Sequence, residues 1–125
     1  MNVADSSAWL EYFADGLNAG RFAAAIEDVE RLIVPSICLL EVFKRVLQQR
    51  GEQEALQAAA LMRQATVEDL TVEVALDAAR IGAGLKLPLA DSVVMATARK
   101  YSAVLWTQDS DFDGLEGVKY FAKKK

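Results

Sequence analysis

The sequence predicts a three-layer α/β/α fold with a mainly parallel central sheet. Short apolar runs at residues 1–4, Leu32–Val34 and Val104–Thr107 are typical of strands that are buried on both faces. Longer segments with helical spacing of their apolar residues separate these runs. Strands that alternate with helices need crossover connections, and such connections place helices on both faces of a parallel sheet.

The first half of the chain contains two predicted strands, each followed by helix. The predicted elements are a strand over residues 1–4, helices over Ala8–Phe13 and Ala19–Asp28, a strand over Leu32–Val34, and a helix from Ser36 to Arg50. Ser6 and Ser7 are good N-cap residues for the first helix, which Gly16 ends. Pro35 ends the second strand, because proline cannot continue a central ladder. Ser36 caps the long helix, and Gly51 follows it.

The second half contains three predicted helices and three short predicted strands. They are a helix over Glu52–Gln64, a strand over Thr66–Leu70, a helix from Thr71 to about Ala83, a helix from Pro88 to about Lys100, and strands over Val104–Thr107 and Val118–Phe121. Gly82 and Gly84 are expected to end the first helix after Thr71. Pro88 suits the first turn of the next helix. The segment from Phe112 to Gly117 is rich in turn residues.

Length and composition bound the class of protein. A chain of 125 residues is long enough for one core and too short for two, so we expect a single domain over residues 1–125. No run approaches the roughly 18 apolar residues of a membrane-spanning helix. The first residues also lack the basic and apolar regions of a secretion signal. We therefore expect a cytoplasmic protein with no membrane partner.

The residues that are missing or rare exclude several chemistries. The sequence has no histidine, which excludes a Ser-His-Asp triad and a zinc site with histidine ligands. Its single cysteine, Cys38, lies between apolar neighbours and is expected in the core. The net charge of −4 disfavours tight non-specific nucleic-acid binding. The basic residues are nevertheless clustered at Lys44–Arg50, Arg99–Lys100 and Lys123–Lys125.

Four acidic residues, Asp5, Glu41, Asp91 and Asp109, lie close to apolar runs. Asp5 and Asp109 follow predicted strands, whereas Glu41 lies in the second turn of one predicted helix and Asp91 in the first turn of another. Sites in open α/β sheets form beyond the carboxyl ends of the strands, so all four are expected at one edge. Carboxylates near a core are costly unless a cation neutralises them. A hard divalent ion suits this set, and metal-assisted hydrolysis of a phosphodiester is the expected chemistry.

Each acid also has a simpler explanation. Asp5 would serve as a helix N-cap, and Glu41 would pair with a basic residue one turn further along its helix. Asp91 would complement a helix dipole, and Asp109 and Asp111 would be ordinary turn residues. The four simpler explanations would all have to fall at one predicted edge, which favours a shared site.

Four segments carry a resemblance to a known family. They are Val3–Ser7, Leu40–Val42, Leu89–Ala98 and Leu105–Phe112. In order and spacing they resemble the PIN-domain ribonucleases, and most closely the VapC toxins of bacterial and archaeal toxin–antitoxin pairs. The resemblance covers essentially the whole chain and implies a PIN-like α/β/α fold. It also implies an endoribonuclease that depends on Mg²⁺ or Mn²⁺, with RNA as substrate and an antitoxin protein as partner.

The resemblance also implies roles for individual residues. Asp5, Glu41, Asp91 and Asp109 match the four acids of the family, which are both metal ligands and catalytic residues. Supporting roles fall to Thr107, Ser6 and Asp111. Either Asp109 or Asp111 is the fourth acid, and the shorter distance of Asp109 from the strand end favours it.

Other functions and partners remain open at this level. A PIN domain also suits RNA processing outside a toxin pair, or a binding role without catalysis. A different class, a receiver-like signalling domain that binds Mg²⁺, would need an acidic pair after the first strand and a lysine at the end of the strand over Val104–Thr107. In this chain Asp5 is followed by two serines, and no lysine follows Thr107. A stripe of Leu39, Phe43, Val46 and Leu47 predicts a homodimer, with the antitoxin laid over the same region.

Overall fold

A computed structural model describes residues 1–124 and contains a five-stranded sheet in the order β3-β2-β1-β4-β5. The strands are β1 (Asn2–Ala4), β2 (Leu32–Pro35), β3 (Thr66–Glu68), β4 (Val104–Thr107) and β5 (Val118–Tyr120). The helices are α1 (Ser6–Phe13), α2 (Ala19–Ile26), α3 (Ser36–Arg50), α4 (Glu52–Met62), α5 (Val72–Leu85) and α6 (Leu89–Lys100). Every strand pair is parallel, which confirms the predicted three-layer α/β/α fold.

The position of β1 decides where a site can form. It lies at the centre of the sheet, where Val3 is level with Ile33 of β2 and with Leu105 of β4. Because the strands are parallel, the carboxyl ends of β1, β2 and β4 lie at one edge. The chain enters α1 and α3 there, and the loop after β4 begins there. This arrangement is the one that gathers functional residues in open α/β sheets.

The core consists mainly of the central strands and the helix faces that cover them. Val3, Leu32 and Leu105 are completely buried, as expected for strands of a parallel sheet with helices on both faces. Trp9 and Phe22 are the largest helix side chains in this core. Cys38 is also completely buried and packs in the same core cluster, which confirms its predicted place.

Several predicted helix starts or caps are wrong by a residue or two. α5 and α6 each begin one residue later than predicted, at Val72 and Leu89. α1 begins at Ser6 rather than Ala8, because Asp5 is the N-cap and accepts a hydrogen bond from the backbone N–H of Ala8 (3.0 Å). Ser36 is the first residue of α3 rather than its cap. Pro35 belongs to β2 as its last residue, level with Glu68 of β3, so it does end the strand as predicted.

The predicted end of α5 is also wrong. The helix continues through both glycines to Leu85, and Lys86 then takes the left-handed conformation with φ 57°. Gly82 is instead a packing residue, since a Cβ there would lie 2.4 Å from the hydroxyl oxygen of Ser92 on α6. Gly82 therefore lets two helices approach closely and does not end one. Four other elements end early, with α2 at Ile26, α4 at Met62, β3 at Glu68 and β5 at Tyr120.

The apolar stripe predicted on α3 is only partly buried. The buried residues of this helix are Cys38, Val42 and Val46, spaced four apart. Leu39 and Phe43 are half-buried, and Leu47 is exposed. α3 therefore uses one face for the core and leaves some of its apolar surface in solvent. Among the helices of residues 1–124, none is long and apolar enough by itself to cross a membrane.

Candidate metal centre

Asp5 is the buried anchor of the candidate site. It follows β1, and its backbone N–H donates to the carbonyl of Trp106 on β4 (3.2 Å). Its Oδ1 atom accepts hydrogen bonds from the hydroxyl of Ser7 (2.7 Å) and the N–H of Ala8 (3.0 Å). Its Oδ2 atom accepts one from the hydroxyl of Thr107 (2.7 Å). These three bonds fix the carboxylate and leave a lone pair of Oδ2 for another partner.

Thr107 and Ser7 connect this carboxylate to the loop after β4. The hydroxyl of Thr107, which is completely buried, also accepts a hydrogen bond from the backbone N–H of Asp109 (2.9 Å). The hydroxyl of Ser7 likewise accepts one from the N–H of Gln108 (3.1 Å). Each hydroxyl therefore donates to Asp5 and accepts from the loop. The position of Asp109 relative to Asp5 is set by these two connections.

Three more carboxylates meet at this edge. Asp91 lies in the first turn of α6, and Asp109 and Asp111 lie at the start of a 3₁₀ turn over Ser110–Phe112. One carboxylate oxygen from each of the three lies within 4.8 Å of the other two. Oδ1 of Asp109 also accepts a hydrogen bond from the N–H of Asp111 (2.9 Å). The structure thus gathers Asp91 and Asp109 as the sequence predicts, and brings Asp111 to the same place.

The pKa values reflect this concentration of negative charge. Burial raises the pKa of Asp5 from 3.8 to about 6, although hydrogen bonds from two hydroxyls and a backbone N–H act in the opposite direction. Burial and, next, the charge of Asp109 raise the pKa of Asp91 from 3.8 to about 7. Near neutral pH, therefore, the carboxyl group of Asp91 retains a proton for much of the time. A bound cation would replace that proton.

Glu41 lies outside the group of three, on the α3 side of the same edge. It is half-buried and lines a cavity with Ser6. After the larger effect of burial, the charges of Asp5, Glu41 and Asp91 raise the pKa of the Cys38 thiol well above its usual range. Glu41 is thus close enough to act on the same buried thiol as two of the other acids. Within residues 1–124, it forms no ion pair with the basic residues one turn further along α3.

Sequence reasoning chose Ser6 as the supporting hydroxyl, but the serine that contacts Asp5 is Ser7. Ser6 instead lines the cavity next to Glu41. The signal that would have found Ser7 is the N-cap role of Asp5. A capping residue at position 5 places residue 7 in the first helical turn, within reach of the capping carboxylate.

The donor set suits a hard divalent cation. All the converging side chains offer carboxylate oxygens, which Mg²⁺ and Mn²⁺ prefer. The carboxylate oxygens of Asp91, Asp109 and Asp111 lie within 4.8 Å of one another, and two ligands of one Mg²⁺ ion are at most about 4.2 Å apart, so only small side-chain movements would bring all three onto one ion. The raised pKa values of Asp5 and Asp91 also favour a cation site, because a bound cation would relieve the repulsion between carboxylates that causes part of each increase in pKa.

The fold and this edge define a class of α/β protein in which carboxylates converge at the carboxyl ends of parallel strands. A family model of the PIN domain matches residues 3–118, and the chain belongs to the PIN-domain family. A search of curated protein sequences found no match. The sheet order also removes the receiver-like alternative, because β1 lies between β2 and β3 in that fold and between β2 and β4 here.

Solved structures with the same fold include several toxin–antitoxin proteins. A toxin–antitoxin complex from Klebsiella pneumoniae aligns with a TM-score of 0.82 at 20% identity, over 99% of this chain and 100% of that one. VapC20 of Mycobacterium tuberculosis, described as a toxin that cleaves the sarcin–ricin loop, aligns at 0.75 and 18% identity, over 93% and 95%. A DNA-bound VapBC from Salmonella typhimurium aligns at 0.74 and 15%, over 98% of each chain. At these identities the likeness establishes the fold.

Proposed function

We propose that this PIN-domain protein is a metal-dependent endoribonuclease and the toxin of a toxin–antitoxin pair. The observation that supports this most is the group of carboxylates at the carboxyl edge of the sheet. Three of them, from Asp91, Asp109 and Asp111, lie within 4.8 Å of one another. Asp5 stands next to them with its orientation fixed by two hydroxyls. The toxin role is supported by the toxin–antitoxin proteins among the structures of the same fold.

In this proposal Asp5, Asp91 and Asp109 hold Mg²⁺, or Mn²⁺ in its place, and Glu41 contributes from the α3 side. Asp109 is a better candidate than Asp111 for the fourth acid, since its charge raises the pKa of both Asp5 and Asp91. When bound, such an ion acidifies a water molecule and offsets negative charge on the phosphate in the transition state.

The residues of the chain supply orientation and limit solvent access. Thr107 and Ser7 fix the orientation of the Asp5 carboxylate and leave a lone pair of Oδ2 available for the ion. The nearly complete burial of Asp5 and Thr107 closes the rear of the site to solvent. In hydrolysis, a water oxygen forms a bond to phosphorus, the bond from phosphorus to one ribose oxygen breaks, and that oxygen takes up a proton.

The cleavage proposal is tested with purified protein and a pool of single-stranded RNA. We expect cleavage with Mg²⁺ or Mn²⁺, none with a chelator, and none in Asp91→Asn, because that variant loses a carboxylate of the centre. Asp113→Asn is the matched control, since Asp113 is an exposed acid of the same loop. Products should carry no 2′,3′-cyclic phosphate, because water rather than the ribose hydroxyl attacks. Undiminished cleavage by Asp91→Asn would refute the proposed site.

The toxin role needs a separate test. Induced expression in a bacterial host should arrest growth, and the Asp91→Asn variant should not. Co-expression of a small protein encoded next to this chain should restore growth. Cleavage in vitro without growth arrest would instead favour RNA processing outside a toxin pair.

The proposed homodimer and antitoxin contact draw on the apolar surface of α3 and α4. Leu40, Leu47, Leu56 and Leu61 on these helices are 42–59% exposed. Light scattering at micromolar concentration should therefore give twice the monomer mass. A monomer at that concentration would argue against the dimer.

A further inference from the structure

A trough between α1 and α3 leads from the candidate metal centre toward the C-terminal tail. It consists of two adjoining cavities of about 510 and 440 Å³, and Ser6, Leu10 and Arg45 line both of them. The larger cavity is also lined by Ser7, whose hydroxyl donates to Asp5. The trough is therefore one hydrogen bond away from Asp5, and Glu41 is the predicted site acid that lines it. Its volume is in the range of cavities that bind ligands.

The walls of this trough are mainly cationic. The charged residues that line it are Lys44, Arg45, Lys123 and Lys124 against Glu11 and Glu41. The carboxylate of Glu11 is already engaged, because it accepts a hydrogen bond from the backbone N–H of Asn18 (2.8 Å). Within residues 1–124, none of the four cations lies within 4.0 Å of a carboxylate. A chain with a net charge of −4 thus places uncompensated positive charge next to its acidic centre.

The C-terminal tail is held in place at the trough. The backbone N–H of Phe121 donates to the carbonyl of Thr107 (2.9 Å), which continues the β4–β5 pairing. The amide nitrogen of Asn18, a completely buried residue, donates to the carbonyl of Ala122 (3.0 Å) and to Oε1 of Gln108 (3.1 Å). The first lysine of the tail follows directly after this contact. The position of this lysine, Lys123, next to the trough is therefore fixed by these hydrogen bonds.

We propose that Arg45, Lys123 and Lys124 bind the phosphate backbone of single-stranded RNA on one side of the phosphate that is cut. This inference rests on the proposed nuclease function and specifies how its substrate is held. An acidic centre repels a polyanion, and cations beside it offset that repulsion and draw the strand in. Arg45 suits the role because its guanidinium can donate two hydrogen bonds to one phosphate. An RNA strand can also occupy the trough and the metal centre together, which explains why the two adjoin.

RNA binding is measured separately from cleavage to test this inference. The parent is the Asp91→Asn variant, and the probe is a fluorescein-labelled single-stranded RNA of mixed sequence. Fluorescence anisotropy gives the dissociation constant at several NaCl concentrations for the parent and for two variants of it. One variant adds Arg45→Gln to the parent, and the other adds Lys123→Gln together with Lys124→Gln. The control is Arg63→Gln with Arg99→Gln. These two exposed residues lie at the C-terminal ends of α4 and α6, shortly before β3 and β4 begin, and therefore at the opposite edge of the sheet. The double variant removes two positive charges, the same number as the variant of the two lysines.

We expect the trough variants to bind RNA more weakly and with less salt dependence. Each lost phosphate contact lowers the slope of log affinity against log salt by about 0.7 for single strands. The slope should fall by about 0.7 for Arg45→Gln and by about 1.4 for the lysine pair, and hardly at all for the control. Slopes for both trough variants equal to the control would overturn the inference, as would a parent that binds no RNA. Because the parent does not need to cut RNA, neither result depends on the outcome of the cleavage assay.

Discussion

Replacing Asp5 by Asn should stabilise the metal-free protein at alkaline pH. The side chain of Asp5 is only 3% exposed, and its pKa is raised from 3.8 to about 6, mainly by burial. The folded protein therefore binds a proton at pH 5 that the unfolded chain has released. This contribution to stability is full below pH 3.8 and is lost as the pH rises through 6. Above that pH the folded state contains a buried carboxylate without a cation.

The size of the effect follows from the shift in pKa. A change from 3.8 to about 6 corresponds to about 3 kcal/mol of unfolding free energy. For a domain of 125 residues this is a change in Tm of about 10 °C. Asparagine keeps the oxygen that accepts from Ser7 and Ala8, so the N-cap survives. Its amide N–H replaces the oxygen to which Thr107 donates, and the Thr107 hydroxyl can instead accept from that N–H and donate to the hydroxyl oxygen of Ser7, which lies 3.3 Å away. The stability gained by the variant should therefore be near zero at pH 4 and approach 3 kcal/mol at pH 8.

The assay is urea unfolding in the presence of a chelator, at pH 4, 5, 6, 7 and 8. Glu116→Gln serves as the control, because it removes one negative charge from an exposed position. Adding Mg²⁺ at pH 8 should stabilise the wild type more than Asp5→Asn. A stability difference between Asp5→Asn and wild type that does not change between pH 4 and pH 8 would refute the reasoning.

Three other predictions concern the metal, the fourth acid and helix packing. Mg²⁺ binding at pH 6.5 should release protons, and the affinity for Mg²⁺ should rise up to about pH 8, because the pKa of Asp91 is raised to about 7. Calorimetry in buffers of different ionisation enthalpy measures the number of protons released. Binding without proton release would contradict the prediction. Asp109→Asn should weaken Mg²⁺ binding and RNA cleavage more than Asp111→Asn, because the charge of Asp109 raises the pKa of both Asp5 and Asp91 and its backbone is bonded to Thr107. Equal losses of metal affinity and of cleavage rate in the two variants would reject that order. Gly82→Ala should lower the free energy of unfolding by about 1–3 kcal/mol, because the new methyl group clashes with the Ser92 hydroxyl. Adding Ser92→Ala to this variant should restore part of the lost stability. If the losses of the two single variants simply add in the double variant, the two sites do not interact.

Local sequence signals predicted most of the fold because they act over short distances. The apolar runs at β1, β2 and β4 could be read as buried strands from their composition alone, and Pro35 does end β2. The prediction that Gly82 ends α5 is wrong, because a glycine that ends a helix and a glycine that lets a neighbouring helix pack closely cannot be distinguished in sequence. Only the position of Ser92 on α6 shows which one Gly82 is.

The candidate site likewise combines features that local sequence predicted with features that only the structure shows. The position of Asp91 in the first turn of α6 followed from the apolar helix after Pro88. That Asp111 joins Asp91 and Asp109 depends on the 3₁₀ turn over Ser110–Phe112, which the turn-rich sequence did not specify. Glu41 was predicted with the others, and lies at the same edge but outside the group of three.

The sequence by itself determined a parallel α/β fold and which edge of its sheet would carry the acids. Periodicity and strand ends encode this, because each depends on neighbouring residues. The tertiary structure alone decided that Thr107 contacts Asp5 and that Ser7 rather than Ser6 shares this task. It also decided that Lys123 and Lys124 line a cavity together with Ser7. Thr107 and Asp5 are about a hundred positions apart in the chain, and their contact depends on the strand order and on the register of β1 against β4. Short-range patterns do not encode either one.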